Sequence, residues 1–315
     1  MLCSVVMPLY NKGRFVDTAL KSVLDQTYKN FEVIVIDDGS TDIGPARVRA
    51  VADDRIHLVR QANAGVACAR NCGVERAKGD LVCFLDADDW YLPQYLETVV
   101  WMARLYPALM YFATSFKRIS AHKIDQMTWD QGATTKIEVV VNLFERWHSS
   151  GGLFITNSVA VRRDFLRTFQ PCFPPGESVG EDWDLWFRLA ERSSLAYCPA
   201  RLAGYRVELA GSLCSTYPRR SLLPVFTRLE KRAFKGQMAE DLKDSALRLI
   251  AKARVTTARH ALIAGHRGDA FGHLRYAWRG AHSRRWWATG AMCLFATASL
   301  VRRWEHWRDR RARDW

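Results

Sequence analysis

Short apolar runs alternate with longer stretches of helical periodicity at the start of the chain, and this alternation constrains the fold more than any other sequence feature. Runs rich in β-branched residues predict strands at 2–8, 31–37, 55–60 and 80–85. The stretches between them predict helices at 14–26, 45–52 and 64–78. Strands joined by helices form right-handed βαβ units with a mostly parallel sheet. We therefore expect an α/β fold that binds ligands beyond the carboxyl ends of its strands.

The charge of the chain is divided unevenly along the sequence. The formal net charge is +13, yet residues 1–218 hold 24 basic and 25 acidic side chains, whereas residues 219–315 hold 22 and 8. A basic surface of the kind that binds nucleic acid or an anionic membrane is therefore expected only in the last third. With 49% apolar residues, the 315-residue chain can bury a full core, which excludes a disordered or fibrous protein.

The eight cysteines include no CxxC pair, so neither a zinc site nor a disulfide framework is indicated. We expect them to be small buried apolar residues in a reducing cytosol. The N-terminus enters an apolar run directly, without a basic region or a cleavage site. No secretory signal is therefore predicted, and we expect the protein to stay in the cytoplasm.

Polar and acidic segments follow the predicted strands. Residues 8–11 (PLYN) follow the first strand, 37–42 (DDGSTD) the second and 86–89 (DADD) the fourth. The DDGSTD segment could be ordinary turn chemistry. The DADD segment is harder to explain in this way, because three carboxylates within four residues repel one another unless a cation neutralises them. Mg²⁺ or Mn²⁺, held by one or two carboxylates and by substrate phosphates, would do so, which predicts an anionic substrate that arrives with metal.

No glycine-rich phosphate loop competes with this interpretation, since the chain has neither a GxGxxG after the first strand nor a GxxxxGK[ST] motif. A diphosphate would instead be held by the metal and by basic side chains. Asn63 and Gly65 open the third predicted helix, whose free N–H groups could bind an anion. Arg70, about two turns farther on, could reach the same site, or it could lie on a solvated helix face.

Four segments, in this order, resemble the nucleotide-sugar-binding half of family 2 glycosyltransferases, which have the GT-A fold. They are 5–11 (VVMPLYN), 26–42 (QTYKNFEVIVIDDGSTD), 63–80 (NAGVACARNCGVERAKGD) and 84–93 (FLDADDWYLP). The resemblance implies that Pro8 and Tyr10 frame the nucleotide base. It also implies that Asp38 accepts a hydrogen bond from the base and that Arg70 contacts the base or the phosphate.

The resemblance further implies a metal site. Asp86 and Asp88 would form a DxD motif, in which Asp88 binds Mn²⁺ or Mg²⁺ and Asp86 bridges the ribose and the metal. The family often carries a histidine near the metal, shortly after a Tyr-Arg pair. Here Glu208 follows Tyr205-Arg206 at that position. Glu208 is therefore a candidate metal ligand, unless its side chain points away.

The segment 180–188 (GEDWDLWFR) is the candidate source of a catalytic base. It opens a predicted helix, and acids in a first turn also stabilise a helix through its dipole, so capping alone could account for some of them. The segment resembles the ED motif of the same family, in which a carboxylate is the base of an inverting displacement. This implies Asp182 as the base, with Glu181 as the alternative. Trp183 would belong to the acceptor platform, since an aromatic ring packs well on a sugar face, or it could be an ordinary core residue.

Helical patterns replace the strand patterns after residue 219. Two apolar faces, at 246–261 and 270–281, predict a helical hairpin with a break at Gly268-Asp269. Residues 286–301 contain no charge, but a helix of this length falls short of the roughly 20 residues that span a bilayer. Flanking arginines and tryptophans predict an interfacial helix on an anionic membrane instead. A buried packing helix, an oligomer helix or a solvated tail are the alternatives.

These features predict a catalytic domain at 1–218, a helical hairpin region at 219–283 and a membrane-associating tail at 284–315. Residues 1–95 would bind the nucleotide sugar and 96–218 the acceptor. The expected function is metal-dependent, inverting sugar transfer from a nucleoside diphosphate sugar, with UDP favoured, to a glycan or lipid-linked acceptor. The enzyme would work at the cytoplasmic face of the cell membrane in polysaccharide synthesis. A nucleic-acid-binding protein acting through the basic tail and an inactive membrane-docked scaffold are the alternatives.

Overall fold

The structure, a computed structural model, describes residues 1–120, 136–207, 221–281 and 283–304. The chain divides into two compact units. The first unit consists of Met1–Leu143 and Ser150–Ser215, and the second of Phe144–Ser149 and Thr216–Trp315.

The described part of the first unit is built around one sheet of nine strands. They are β1 (Cys3–Leu9), β2 (Phe31–Asp37), β3 (Ile56–Arg60), β4 (Leu81–Phe84), β5 (Trp90–Tyr91), β6 (Tyr111–Ser120), β7 (Glu138–Val140), β8 (Val159–Arg162) and β9 (Leu195–Val207). The strand order is β3-β2-β1-β4-β8-β6-β9-β5, and β7 pairs with β9. The first four strands are parallel, and β8 lies antiparallel between β4 and β6. The expected α/β fold with a mostly parallel central sheet is confirmed.

Helices connect these strands. The first unit contains α1 (Val16–Leu24), α2 (Gly44–Ala50), α3 (Val66–Arg76), α4 (Tyr95–Leu105), α6 (Arg163–Arg167) and α7 (Glu181–Ala190). Helix α5 (Leu143–Ser150) lies mostly in the second unit. The strands β2 and β4 are buried at every position, which is why they read as continuous apolar runs in the sequence. Because β1, β2 and β4 run parallel, the polar segments that follow them meet at one edge of the sheet.

The second unit is helical in its described part. It contains α8 (Pro224–Phe234), α9 (Glu240–Ile263), α10 (Arg267–Tyr276), a 3-10 turn (Trp278–Gly280), α11 (Arg284–Phe295) and α12 (298–304). The break between α9 and α10 lies at Gly265, whose positive φ of 86° suits glycine, and not at the expected Gly268-Asp269. Those two residues instead lie in the first turn of α10, where the Asp269 carboxylate suits the helix dipole.

The uncharged segment 286–301 is not one continuous helix. Helix α11 ends at Phe295, and α12 begins at residue 298. The guanidinium group of Arg267 explains the break, because it donates hydrogen bonds to the carbonyl oxygens of Cys293, Leu294 and Ala296 and so satisfies the end of α11. A search of the described residues finds no helix that combines the length and the hydrophobicity needed to cross a bilayer.

Candidate active site

The loops that follow β1 and β2 shape one side of the site. The ring of Tyr10 is exposed at the end of β1, and Pro8 is partly buried just before it. Asp38 is buried, and its carboxylate accepts hydrogen bonds from the Gln61 side chain and from the backbone N–H groups of Ala64 and Gly65, all at 2.8–2.9 Å. The structure therefore uses Asp38 to hold the loop that opens α3.

Asn63 and Gly65 lie in that same loop, directly before α3. Gly65 is the residue that precedes the helix, and its φ of 87° favours glycine. A Cβ atom on Gly39, in the neighbouring loop, would come within 3.0 Å of the Asn63 nitrogen. The close approach of these two loops places the N-terminus of α3, with its free N–H groups, at the edge where β1 and β2 end.

Asp37 and Asp42 organise the loop after β2. Asp37 accepts a hydrogen bond of 2.8 Å from the Ser40 backbone N–H. Asp42 accepts hydrogen bonds from the backbone N–H groups of Gly13 and Gly44, at 2.7 and 2.9 Å. The loop after β1 is thereby tied to the start of α2.

Asp88 makes its main contact with a lysine from the loop after β1. The Lys12 ammonium group donates to Asp88 Oδ2 at 2.6 Å. Arg206, near the end of β9, donates from Nε to the backbone oxygen of Asp88 at 2.9 Å. The sequence shows no motif that singles out Lys12, so its pairing with Asp88 was missed.

Asp89 is the structural member of the acidic loop. It is buried and accepts hydrogen bonds from the Arg206 backbone N–H, at 2.7 Å, and from the side-chain amide of Asn157. The Asn157 side-chain oxygen in turn accepts from the Asp86 backbone N–H at 3.0 Å. Burial, together with the carboxylates of Asp88 and Asp86, raises the pKa of Asp89 well above its ordinary value. Asn157 therefore holds the loop from both ends, a role that no local sequence pattern indicates.

The pair Asp86 and Asp88 fits a metal that arrives with a substrate. Within the described ranges, no group of three or more His, Cys, Asp or Glu side chains is arranged to hold a metal, and the expected ligand Glu208 lies outside those ranges. Asp86 and Asp88 keep 28% and 19% of their side chains exposed, and each uses one carboxylate oxygen for its ion pair. Mg²⁺ and Mn²⁺ bind through one or two carboxylates plus phosphates, so two carboxylates are sufficient.

Arg70 joins the two halves of the site. Its guanidinium group is buried and donates to Asp86 Oδ1 at 2.8 Å and to Glu181 Oε1 at 2.7 Å. Burial disfavours the charged guanidinium, but the carboxylates of Asp86, Glu181 and Asp182 more than offset this cost and raise its pKa. Arg70 thus does not lie on a solvated helix face. It is a buried cation between two acidic segments.

Glu181 and Asp182 occupy different environments although they are adjacent in sequence. Glu181 is buried at the start of α7; burial and the neighbouring Asp182 raise its pKa to about 7, against the opposing effect of Arg70. Asp182 is only partly buried and accepts a hydrogen bond of 2.6 Å from the Thr156 hydroxyl. Asp182 is therefore the more accessible of the two carboxylates, while Glu181 anchors Arg70.

The two tryptophans of the segment 180–188 also differ in burial. Trp186 is buried and packs edge-on against Phe84, Phe154 and Phe173, with ring centroids 6.0–6.3 Å apart. Trp183 is only partly buried, as a residue that contacts a ligand would be. The aromatic cluster around Trp186 packs against α7, the helix whose first turn carries Glu181 and Asp182.

Comparison with known proteins identifies related sequences. Residues 4–160 match the family model described as glycosyl transferase family 2. An uncharacterised glycosyltransferase of Nostoc sp. is 30% identical over 223 residues, which are 67% of this chain and 66% of the relative. One of Rickettsia conorii is 31% identical over 217 residues, 65% of this chain but 32% of the relative. The chain thus spans about a third of the length of the Rickettsia protein.

Solved structures share the fold. Staphylococcus aureus TarS (residues 1–349) in complex with UDP-GlcNAc has a TM-score of 0.74 at 16% identity, covering 97% of this chain and 92% of that one. The mannosyltransferase PcManGT of Pyrobaculum calidifontis, in complex with GDP-Man and Mn²⁺, has a TM-score of 0.57 at 19% identity, covering 93% and 87%. The expected GT-A architecture is confirmed.

Replacing Arg70 tests the ion-pair network. We expect Arg70→Met to lower the free energy of unfolding by about 3–5 kcal/mol at pH 8, because Glu181 is left buried without its cation. The penalty should shrink toward pH 5. Without Arg70 the pKa of Glu181 rises further, so the folded chain holds a proton there that the unfolded chain has lost, and stability falls as the pH rises. Urea unfolding at both pH values measures the effect.

The double variant Arg70→Met/Glu181→Gln is the control for this network. It lacks the buried carboxylate, so part of the lost stability should return and the difference between pH 5 and pH 8 should disappear. Equal penalties for the single and double variants at both pH values would contradict the assignment.

Proposed function

Because the chain belongs to glycosyltransferase family 2, we propose that it transfers a sugar, with inversion, from a nucleoside diphosphate sugar to a glycan or lipid-linked acceptor in cell-surface polysaccharide synthesis. The observation that carries the proposal is the double ion pair of Arg70. It joins the DxD segment that suits the donor diphosphate to the acidic start of α7 that suits the acceptor. One guanidinium group therefore links Asp86, a proposed metal ligand, to the first turn of α7, which carries the proposed base.

The donor is proposed to bind along the ends of β1 and β2. The exposed Tyr10 ring suits stacking on a base, with Pro8 beside it, and Asp38 holds the loop at Asn63 and Gly65 where α3 begins. The free N–H groups of that helix end suit a phosphate. A UDP sugar is favoured, and the fold is shared with proteins in complex with UDP-GlcNAc and GDP-Man.

Asp88 and Asp86 are the residues proposed to hold Mn²⁺ or Mg²⁺. When bound, such an ion neutralises the diphosphate that departs from the sugar. Lys12 already provides one positive charge beside Asp88, and Arg70 provides one beside Asp86. These cations keep the acidic loop stable before any substrate binds, and they lie where a diphosphate would need them.

Asp182 is proposed to act as the base. Its carboxylate takes the proton of the acceptor hydroxyl as that oxygen forms a bond to the anomeric carbon. The bond from this carbon to the diphosphate breaks, and the diphosphate leaves with the electron pair. The Thr156 hydroxyl orients the carboxylate at 2.6 Å, and the partly buried Trp183 ring lies next in sequence as the proposed acceptor platform. Glu181 is less suited to act as the base, because its carboxylate accepts a hydrogen bond from Arg70.

Asp182→Asn tests the base. The variant should bind UDP-sugar with nearly unchanged affinity and lose transfer by about 10²–10⁴-fold in kcat, the usual contribution of a general base. Transfer assays with isothermal calorimetry for donor binding measure both quantities. The exposed Asp164→Asn is the matched control and should leave kcat unchanged. Wild-type turnover of Asp182→Asn would exclude this residue, and a selective loss in Glu181→Gln without loss of stability would favour Glu181 instead.

Asp88→Asn tests the metal. It should weaken the dependence of donor affinity on Mn²⁺, because one negative ligand is lost while the neutral side chain keeps a similar shape. Calorimetric titration of UDP with and without Mn²⁺ measures this dependence. Asp25→Asn, an exposed carboxylate on α1's C-terminal side, is the control and should retain it. An unchanged Mn²⁺ dependence in Asp88→Asn would overturn the assignment.

We further propose that the second unit associates with an anionic membrane at the cytoplasmic face. Four large apolar side chains of α11 and α12 are more than half exposed: Trp287 (64%), Leu294 (59%), Phe295 (83%) and Leu300 (56%). Exposed arginines flank them at 284, 302 and 303. An apolar face between basic residues suits the headgroup region of anionic lipids. The remaining residues of the expected tail, 305–315, lie outside the described part of the chain.

Trp287→Ala/Phe295→Ser tests this surface. Both side chains point outward, so the fold should persist while binding to vesicles of phosphatidylglycerol and phosphatidylcholine drops by about tenfold or more, since about 1.5–3 kcal/mol is associated with burying each large apolar side chain. Vesicle sedimentation measures binding. Trp101→Ala, an exposed tryptophan on α4, is the control. If both variants sediment like the wild type, this surface does not face the membrane.

A further inference from the structure

The second unit contains a cavity that the proposed transfer reaction does not use. Its volume is about 550 Å³, and it is formed by α8, α9 and the turn that follows α10. Cavities of roughly 300–1,000 Å³ with largely apolar walls and a few polar groups are typical of small-molecule sites. Leu247 and Ile250 of α9 contribute apolar wall, and both are buried. The cavity therefore has the volume and the apolar wall that are typical of a small-molecule binding site.

Three aromatic side chains stand exposed around this cavity. Phe234 is 63% exposed, and Tyr276 and Trp278 are each 64% exposed. Exposing large rings in one place is unfavourable for a monomeric surface unless a ligand covers them. Flat rings pack well on the apolar face of a sugar ring, and the polar edges of Tyr and Trp supply hydrogen bonds at the same time. The walls thus suit a ring-shaped ligand that is only partly apolar.

Positive charge accompanies the aromatic rings. Lys231, in the last turn of α8, and Lys235, directly after the helix, both line the cavity and are four residues apart. Like charges at this spacing repel each other. In the described part of the chain, neither ammonium group lies within 4 Å of an acidic side chain. An anion bound in the cavity would relieve this repulsion.

The two arginines of the cavity are already engaged. Arg254 pairs with Glu230 at 2.6 Å, and Arg279 lies 3.7 Å from Asp244. Arg254 also lies over the ring of Tyr276, and Arg279 over the ring of Trp278. These contacts hold two of the exposed rings in place before a ligand binds. Lys231 and Lys235 are therefore the cations left to neutralise it.

We propose that this cavity binds an anionic sugar, meaning a sugar ring that carries a phosphate or a carboxylate. The ring would lie against Trp278 and its aromatic neighbours, and the anion would pair with Lys231 and Lys235. The same chemistry could be presented by a soluble glycan or by the headgroup of a lipid. The inference goes beyond the proposed transfer reaction and does not depend on it, because all the residues that carry it belong to the second unit.

The test uses the full chain and defined probes. Glucose 1-phosphate is titrated and binding is followed by ligand-observed NMR, with glucose and inorganic phosphate as separate probes. We expect glucose 1-phosphate to bind more tightly than either, because it uses the rings and the lysines together. Trp278→Ala should weaken it by about tenfold, as expected for the loss of one stacked ring. Lys231→Gln/Lys235→Gln should reduce the preference over glucose. Equal binding of glucose and glucose 1-phosphate would overturn the proposal.

Two variants separate this cavity from other sites. Trp287 has the same exposed fraction as Trp278 and belongs to the same unit, but it does not line the cavity. Trp287→Ala should therefore keep wild-type affinity for glucose 1-phosphate. Tyr10→Ala, at the donor site, should also keep it. If Tyr10→Ala loses the binding and Trp278→Ala does not, the probe occupies the donor site and the proposal is wrong.

Vesicles distinguish the two sources of the anionic sugar. Phosphatidylinositol presents a polyol ring on a phosphate, whereas phosphatidylglycerol presents a phosphate without a ring. If a lipid headgroup is the ligand, Trp278→Ala should lose its preference for phosphatidylinositol over phosphatidylglycerol vesicles. If the source is a soluble glycan, the wild type shows no such preference and still binds glucose 1-phosphate. Weaker binding of Trp278→Ala to both kinds of vesicle, with no change for glucose 1-phosphate, would indicate a membrane surface and overturn the sugar site.

Discussion

The ion pairs of one buried guanidinium group hold this site together. Arg70 contacts Asp86 and Glu181, two carboxylates that are 95 positions apart in the sequence, and it is itself removed from water. A buried arginine is stable only when anions surround it, and buried anions are stable only beside a cation. The position of α7 relative to the acidic loop follows from this mutual requirement. The accessible Asp182 carboxylate is placed as a result.

The three carboxylates of the acidic loop are each stabilised by a different partner. Asp86, Asp88 and Asp89 would repel one another, and each has been given a different partner: Arg70, Lys12, and the Asn157 amide with the Arg206 backbone. Asp89 is fully engaged and buried, while Asp86 and Asp88 stay partly exposed. This division separates the carboxylate that shapes the loop from the two that are proposed to hold a metal.

The second unit carries an excess of positive charge, whereas the acidic loop of the first unit carries negative charge. Basic residues of the second unit's described part lie beside exposed apolar side chains in two places: arginines at the ends of α11 and α12, and lysines beside the exposed rings of the cavity. The net charge of the whole chain, +13, conceals this arrangement because the first unit is nearly neutral. Both surfaces combine apolar area with uncompensated positive charge, which suits amphipathic anions such as lipid headgroups or charged sugars.

The sequence by itself determined the βαβ pattern, because strand and helix periodicities are local and each needs only a few neighbouring residues. Resemblance to family motifs made Asp86 and Asp88, in the segment 84–93, and Asp182, in the segment 180–188, site candidates. Only the tertiary structure decided that Arg70 is buried between two acids, that Asn157 and Lys12 hold the acidic loop, and that Arg267 interrupts the segment 286–301. The physical reason is distance along the chain. These contacts join groups 16 to 111 positions apart, and no periodicity encodes which distant partner will neutralise a buried charge or an unpaired carbonyl.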